Sequence, residues 1–173
     1  MNDDDFLFYA DAGSEYMNNV DTGLMCGLQQ IDRDIQLFYL GKADNAYTKA
    51  DAFILTGCDR KKCRDSKQIL ASFIVLRRTF KAIEFVSEWL TYATDPRAVS
   101  DQASVLAKED PTFIAHRHDQ SILSLVAKKW GIAAEALPDP SQYGVSGRRA
   151  LPPEMEFAKR QYINHTRKKI CNH

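Results

Sequence analysis

The chain has 173 residues, 45% of them hydrophobic and 27% charged, which suits one globular domain with its own core. Its 23 basic and 23 acidic residues cancel, which excludes the cationic excess of a general nucleic-acid or membrane-surface binder. No apolar run approaches the ~18 residues of a transmembrane segment, and the acidic start MNDDD is unlike a secretory signal. We therefore expect a cytoplasmic protein, or one held peripherally at a membrane by its partners.

The first half of the chain alternates strand-like and helix-like segments. FLFYA, at 6–10, is a short apolar run that ends at Asp-Ala-Gly, which predicts a buried strand followed by a turn. The segments predicted next are a helix at 21–31, a strand at 35–40 stopped by Gly41, and a helix at 48–56. Thr48 is expected to cap the second of these helices, and Gly57 to end it.

Two of the four cysteines, Cys58 and Cys63, lie in the highly charged segment 58–68, which we expect to be an exposed loop. Four cysteines in a chain this long do not indicate a disulfide scaffold. The spacing of the two is close to that of a zinc knuckle, but no second pair completes four ligands. Free thiols are therefore the expectation.

The second half opens with the strongest strand signal, ILASFIVLRR at 69–78, which is rich in β-branched and aromatic residues. Thr79 is expected to cap a helix that Pro96 ends. After a polar loop, Asp119 is expected to cap a helix that stops at Gly131. IAAEAL predicts a further strand, and a segment rich in Pro, Gly and Ser leads to a last helix-like stretch.

This alternation of strands and helices indicates an α/β domain with a mixed or mostly parallel sheet. Ligand sites in such sheets form at the carboxyl ends of strands. That rule selects Asp11 with Gly13, Arg77 with Arg78, and the NHTR sequence at 164–167.

Asp11 directly follows the first predicted strand, and Gly13 would let the backbone approach a ligand. A carboxylate in this position suits a divalent cation that holds phosphates, and Glu15 could add a second oxygen ligand. Asp-Ala-Gly is also ordinary turn chemistry, and Glu15 could simply be solvated. The residues alone leave both interpretations open.

His165 lies near the end of the chain, in INHTRKK. A neutral imidazole can ligate a divalent metal, and the cations Arg167 and Lys168 can hold phosphate oxygens. A solvated basic tail explains the same residues.

The segment HRHDQ, at 116–120, crowds polar side chains directly before an apolar-periodic run. A capped helix explains Asp119 but not its neighbours. His116 and His118 could bind a metal, because residues i and i+2 of an extended segment face one way, yet further ligands would be needed. A metal-dependent hydrolase built on HRHD lacks that further cluster. Asp119 and Gln120 suit a polyhydroxylated ligand better, since they offer acceptors and an amide donor at a helix N-terminus.

Six segments occur here in an order that resembles bacterial and viral GT-A-type glycosyltransferase-like proteins of surface polysaccharide biosynthesis. They are LFYADAG, YTKADAF, SFIVLRRT, VSEWLTYATDPRAVSD, HRHDQSILSLVAKKWGI and YINHTR. The resemblance covers most of the chain, and HRHDQSILSL is its most specific part. It implies a single GT-A-like domain over residues 1–173, with a mixed sheet flanked by helices. The implied activity is transfer of a sugar from a nucleotide-sugar donor to a glycan, lipid-linked or other hydroxyl acceptor.

The resemblance also implies a divalent cation, Mn²⁺ or Mg²⁺, that holds the donor diphosphate. Asp11 matches the first carboxylate of an Asp-x-Asp motif, whereas Gly13 stands at the second position. Glu15, His165 or a water would have to supply the missing ligand. A late histidine completes the metal shell in glycogenin-like members of the superfamily, and His165 resembles it.

The remaining site residues are implied on the sugar side and on the donor side. Asp119 and Gln120 match an Asp-Gln pair that lies near the transferred sugar in those relatives. Ala71 and Ser72 match the strand that lines the sugar pocket, and the cations after His165 would contact the donor.

A full GT-A domain begins with strand-helix units that bind the nucleoside, whereas this chain starts only a few residues before the motif strand. We therefore expect a complementary chain, self-association through an exposed sheet edge, or weak donor affinity. The alternative function is a non-catalytic GT-A remnant that acts as a binding or interaction module. A clean monomer in light scattering that also binds a nucleotide sugar tightly would contradict the expectation of association.

Overall fold

The structure is a computed structural model that describes residues 5–12, 14–16, 33–136 and 163–165. The chain divides into two units, one formed by Met1–Tyr9 with Asp34–Ala136 and the other by Ala10–Arg33 with Leu137–His173. The predicted helix at 21–31, the last helix-like stretch, Arg167 and Lys168 lie outside the described residues.

The described strands form a four-stranded sheet and a two-stranded sheet. They are β1 (Phe6–Ala10), β2 (Ser14–Tyr16), β3 (Ile35–Ala43), β4 (Lys67–Arg77), β5 (Ala134–Ala136) and β6 (Ile163–His165). The larger sheet has the order β1-β4-β3-β5, with β3 antiparallel to β4 and parallel to β5. The smaller sheet pairs β2 with β6. The predicted α/β class with a mixed sheet is therefore confirmed.

The described helices flank the larger sheet, and three of them are single turns. They are α1 (Asp44–Tyr47), α2 (Ala50–Thr56), α3 (Lys61–Arg64), α4 (Phe80–Ala93), α5 (Pro96–Val99) and α6 (His118–Lys129). The helix α6 packs on β4 and against α4, and every residue from Ser121 to Ala127 in it is buried. Among the described residues, no helix is long and apolar enough to cross a membrane.

The main core lies between the sheet and the two long helices. Its fully buried side chains include Leu37 from β3, Phe85 from α4 and Ile122 from α6. Because α6 is buried on nearly all sides, its polar residues must find hydrogen-bond partners inside the protein.

Two local predictions in the second half are confirmed. The Thr79 hydroxyl accepts a hydrogen bond from the Ala82 N–H at 3.2 Å, so Thr79 caps α4 as expected. Gly131 follows the end of α6 with φ of 66°, a left-handed conformation that glycine adopts without strain. The helix α4 has already ended when the chain reaches Pro96, which instead starts α5.

Two predicted N-caps are wrong. The helix α2 begins after Lys49, and the Thr48 hydroxyl instead donates to the Asp44 carboxylate at 3.4 Å. The helix α6 begins after Arg117, because the N–H groups of the next turn already bond to the Arg117 carbonyl. Asp119 therefore lies within the first turn of α6 rather than at its cap.

The predicted strand end at Gly41 is also wrong, since β3 continues to Ala43. A register shift against β4 falls between Tyr39 and Ala43, so the glycine is absorbed as a local irregularity of the strand.

The expectation of free thiols in the charged segment is a further error, because Cys58 and Cys63 are joined in a disulfide. The segment folds into the single turn α3, which brings the two Cα atoms to 5.9 Å. Both half-cystines are buried in a small cluster with Phe53 and Leu125. Disulfides persist mainly in oxidising compartments, so the crosslink argues against the cytoplasmic expectation.

A buried polar seam joins α1, β4 and α6, and consists of Asp44, Gln68, Ser121, Ser124 and Lys128. The Ser124 hydroxyl donates to the Asp44 carboxylate at 2.9 Å, and the Lys128 ammonium pairs with the same carboxylate. Burial raises the pKa of Asp44 and lowers the pKa of Lys128, although the attraction between the two opposes both changes. The seam therefore contains an ion pair in which each charge offsets the desolvation cost of the other.

Removing one member of this ion pair should cost more than removing both. Asp44→Ala is expected to lower the free energy of unfolding by about 3–5 kcal/mol, since it leaves the Lys128 ammonium buried without its counter-ion. The double variant Asp44→Ala/Lys128→Met should recover most of that loss. Asp65→Ala, at an exposed position, serves as the control and should stay within about 0.5 kcal/mol of wild type. Urea unfolding measures all three, and equal losses in the single and double variants would contradict the prediction.

Candidate functional site

His116 lies near the C-terminal end of the long loop between α5 and α6, and it is only 7% exposed. Its Nε2 lies 2.8 Å from the Ala98 carbonyl, and its Nδ1 accepts a hydrogen bond from the Lys49 backbone N–H at 3.3 Å. These partners assign a neutral ring with the proton on Nε2. Burial lowers the pKa of His116 to about 4, which keeps the ring neutral. Both ring nitrogens are thus occupied within the protein, which argues against a metal site at His116.

His118 is exposed and has φ of 51°, and among the described residues no other non-glycine residue has a positive φ. Its Nε2 lies 3.0 Å from the Asp101 carboxylate, and its ring meets the His116 ring edge-on with centroids 5.5 Å apart. The two histidines do lie together, but His118 starts a helix instead of continuing an extended segment. The described side chains include no group of three or more His, Cys, Asp or Glu that could hold a metal ion.

The side chain of Gln120 lies against the backbone of Ala71. The Ala71 N–H donates to Gln120 Oε1 at 3.4 Å, and Gln120 Nε2 donates to Gln68 Oε1 at 2.9 Å. Asp119 is exposed beside it, and its backbone carbonyl accepts from the indole of Trp89 at 3.0 Å. The amide of Gln120 is therefore held in one orientation, next to an accessible carboxylate.

Ser72 follows Ala71 on β4 and is half-buried. In β4, successive side chains point to opposite faces of the sheet, so Ala71 and Ser72 do not share a face. Ala71 is buried in the main core, and Gln120 contacts its backbone N–H rather than its side chain.

In the second unit, β2 and β6 pair antiparallel, with Ser14 opposite His165 and Glu15 opposite Asn164. Asp11 lies three positions before Ser14, so the two Cα atoms are at most about 11 Å apart. The backbone thus limits how far Asp11 can lie from His165, and Glu15 is one position out of register with His165. The side chains of Glu15 and His165 are not among those described.

Asp11, Glu15 and His165 offer two carboxylates and one imidazole. Carboxylate oxygens suit Mn²⁺ and Mg²⁺, and a histidine nitrogen is the softer ligand, which Mn²⁺ accepts more readily than Mg²⁺. Such a donor set is of the kind that Mn²⁺ accepts, but the β2–β6 register places Glu15 opposite Asn164 rather than opposite His165.

A cavity of about 530 Å³ opens beside His116 in the first unit. Residues 100–104, 107–109, 113, 115 and 116 provide most of its lining, and Lys49 adds to it from the residue before α2. This segment was predicted only to be a polar loop. The residue that fixes it, Asp51, lies in YTKADAF, which was predicted as a helix and counted in the family resemblance without a role for Asp51.

Asp51, within TKADAF, fixes the loop through its backbone. Its carboxylate accepts from the N–H groups of Val105 at 3.0 Å and Leu106 at 2.8 Å. Burial alone would raise the pKa of Asp51, but these amide hydrogen bonds hold it below its ordinary value. The loop is therefore tied to the helix by an ionised, nearly inaccessible carboxylate.

Further contacts tie the same loop to the start of α2. The ammonium of Lys49, which is 2% exposed, donates to the carbonyls of Gln102 at 2.6 Å and Ser100 at 3.3 Å. The carboxylate of Glu109 accepts from the Ala50 N–H at 2.8 Å. Distant loop residues thus replace the local cap that Thr48 was expected to provide.

No protein-family model, curated protein or solved structure matches this chain. A functional assignment therefore has to be argued from the residues and contacts within each unit. Fold alone does not define an activity, so each site has to be judged by its own chemistry.

The pH dependence of stability tests the state of His116. Because burial lowers its pKa to about 4, the folded protein binds this proton less tightly than the unfolded chain does. Stability should therefore be lost as the pH falls from about 6.5 to about 4, by about 3 kcal/mol in total. Lys49 and His118 also disfavour the charged ring, whereas Asp101 and the Ala98 carbonyl favour it.

The matched pair of variants for this measurement is His116→Gln and His118→Gln. Urea unfolding across this pH range should show a flatter profile for His116→Gln, whereas His118→Gln should keep most of the wild-type pH dependence, because the buried His116 ring is still present. A profile that flattens only in His118→Gln would show that the buried ring is not the titrating group.

Proposed function

We propose that the protein is a divalent-metal-assisted glycosyltransferase that moves a sugar from a nucleotide-diphosphate sugar to a glycan or other hydroxyl acceptor. The observation that supports this most is the β2–β6 pairing, which sets His165 opposite Ser14, three positions after Asp11. A metal site shared by two distant parts of the chain needs such a pairing. The order of the sequence motifs adds to this support.

The proposed metal ligands act on the leaving group. When bound, Mn²⁺ supplies positive charge that stabilises the departing nucleoside diphosphate. Asp11, Glu15 and His165 would hold the cation, and Arg167 and Lys168 would add charge-assisted hydrogen bonds to phosphate oxygens. Because the leaving group gains charge as the glycosidic bond breaks, these groups favour the transition state over the ground state. Losing one of them commonly costs ~3–4 kcal/mol of barrier stabilisation.

The proposed sugar-binding residues are Asp119 and Gln120. The carboxylate of Asp119 is at an exposed position and can accept from sugar hydroxyls. Gln120 uses one amide N–H on Gln68 and accepts from Ala71, which leaves a second N–H and a second lone pair for a ligand. A glutamine that is already oriented loses little conformational entropy when it binds.

A non-catalytic GT-A remnant that binds a glycan or a partner is the second candidate function. Gly13 at the second motif position favours it, since one carboxylate of the expected pair is absent. The engagement of Gln120 with Gln68 and Ala71 also favours it, because a structural role explains those contacts without a substrate.

Thermal unfolding with nucleoside diphosphates distinguishes the two candidates. Uridine or guanosine diphosphate with Mn²⁺ should raise Tm by about 5 °C or more at roughly 100 times Kd. The same nucleotides with EDTA should not, because the diphosphate would then lack its counter-charge. Asp11→Ala should remove the Mn²⁺-dependent rise, and the exposed control Asp65→Ala should keep it.

The absence of a shift with every nucleotide would favour the remnant. A Mn²⁺-dependent shift that persists in Asp11→Ala would remove Asp11 from the metal site while leaving nucleotide binding in place.

A further inference from the structure

The cavity beside His116 uses none of the residues assigned above to the metal, the donor or the transferred sugar. Its volume of about 530 Å³ lies within the roughly 300–1,000 Å³ typical of small-molecule sites. The side chains that give it chemical character are Asp101, Gln102, Ser104, Lys108, Glu109 and Phe113. These side chains offer hydrogen-bond donors, acceptors and one aromatic ring to a ligand.

The charges of this lining balance. Two basic residues, Lys49 and Lys108, and two acidic residues, Asp101 and Glu109, line the same cavity. A diphosphate would meet two carboxylates, and a cationic ligand would meet two ammonium groups, so either would be poorly accommodated. The balance favours a neutral ligand that both donates and accepts hydrogen bonds.

Hydrogen-bonding capacity remains at each ionic group. The Lys49 ammonium uses two of its three N–H donors on backbone carbonyls. Glu109 bonds the Ala50 N–H through Oε2, and Asp101 contacts His118 through Oδ1, so each carboxylate keeps a second oxygen. Hydroxyl groups suit such a lining, because each one can donate to a carboxylate and accept from an ammonium.

The cavity wall is also held in place before any ligand arrives. Asp51 fixes the backbone at Val105 and Leu106, and Lys49 fixes it at Gln102. A fixed wall lowers the entropy lost on binding. Phe113, which is half-buried, adds a flat apolar surface of the kind that the C–H face of a pyranose can cover.

We propose that this cavity is a saccharide-binding subsite that takes a neutral mono- or oligosaccharide. In the proposed reaction the bound saccharide is the acceptor, and that assignment rests on the proposed function. Saccharide binding in the cavity does not depend on the metal, the nucleotide or catalysis.

Binding to an array of defined neutral and acidic oligosaccharides tests the proposal. The probe is the fluorescently labelled protein, in EDTA and without nucleotide. We expect binding to at least one neutral oligosaccharide, and titration calorimetry with that compound then gives Kd. Ala103→Trp places a large side chain in the lining and should weaken binding at least about tenfold. Asp101→Asn should weaken it about tenfold, the loss expected for one charge-assisted hydrogen bond.

Val105→Trp is the matched control, because Val105 is 76% exposed on the same loop and does not line the cavity. It should bind as wild type does. Binding to no oligosaccharide, a preference confined to acidic oligosaccharides, or equal Kd for Ala103→Trp and wild type would each overturn the proposal.

The two proposals fail separately. Oligosaccharide binding in EDTA supports the subsite even when nucleoside diphosphates give no thermal shift. A Mn²⁺-dependent thermal shift without oligosaccharide binding overturns the subsite alone.

Discussion

The contact between α6 and the backbone of β4 holds the first unit together. Ser124 Oγ accepts the Ile69 N–H at 2.9 Å, and Gln120 Oε1 accepts the Ala71 N–H at 3.4 Å. Four residues along a helix rise about 6 Å, and two residues along a strand rise about 6.6 Å, so the two spacings match. A glutamine and a serine four positions apart therefore fix the register of helix on strand. This register places the core side chains of α6 on the sheet and sets where HRHDQ begins.

The same contact divides the polar residues of HRHDQ and its continuation into two groups. Gln120 and Ser124 face the strand, and His116 is enclosed by backbone partners, so packing accounts for all three. His118 and Asp119 are exposed instead, and no such packing explains their side chains. Within HRHDQ, packing thus accounts for His116 and Gln120, whereas Arg117, His118 and Asp119 are exposed. Its accessible residues lie close in sequence to His116, which lines the cavity.

Local signals explain what could be predicted. The strand at Phe6–Ala10 and the helix after Thr79 follow from apolar patterning and a capping hydroxyl, which act within a few residues. The strand is only partly buried rather than buried as predicted, since Leu7 and Tyr9 are exposed. The Asp51 carboxylate, in contrast, bonds to amides more than 50 positions away, and a single sequence contains no signal for such a pairing. The Cys58–Cys63 crosslink was missed although it is local. The prediction considered the number and spacing of the cysteines but not the turn between them, which brings the two together.

The central proposal is that Asp11, Glu15 and His165, which all belong to the second unit, hold one divalent cation. Nuclear magnetic resonance of isotope-labelled protein titrated with Mn²⁺ tests it most directly, because the paramagnetic ion broadens only nearby amide signals. The account predicts that signals of Asp11, of residues 14–16 and of residues 163–165 disappear first, and that Asp11→Asn prevents this. Broadening at His118 and other exposed side chains, with the signals of 163–165 unaffected, would contradict it.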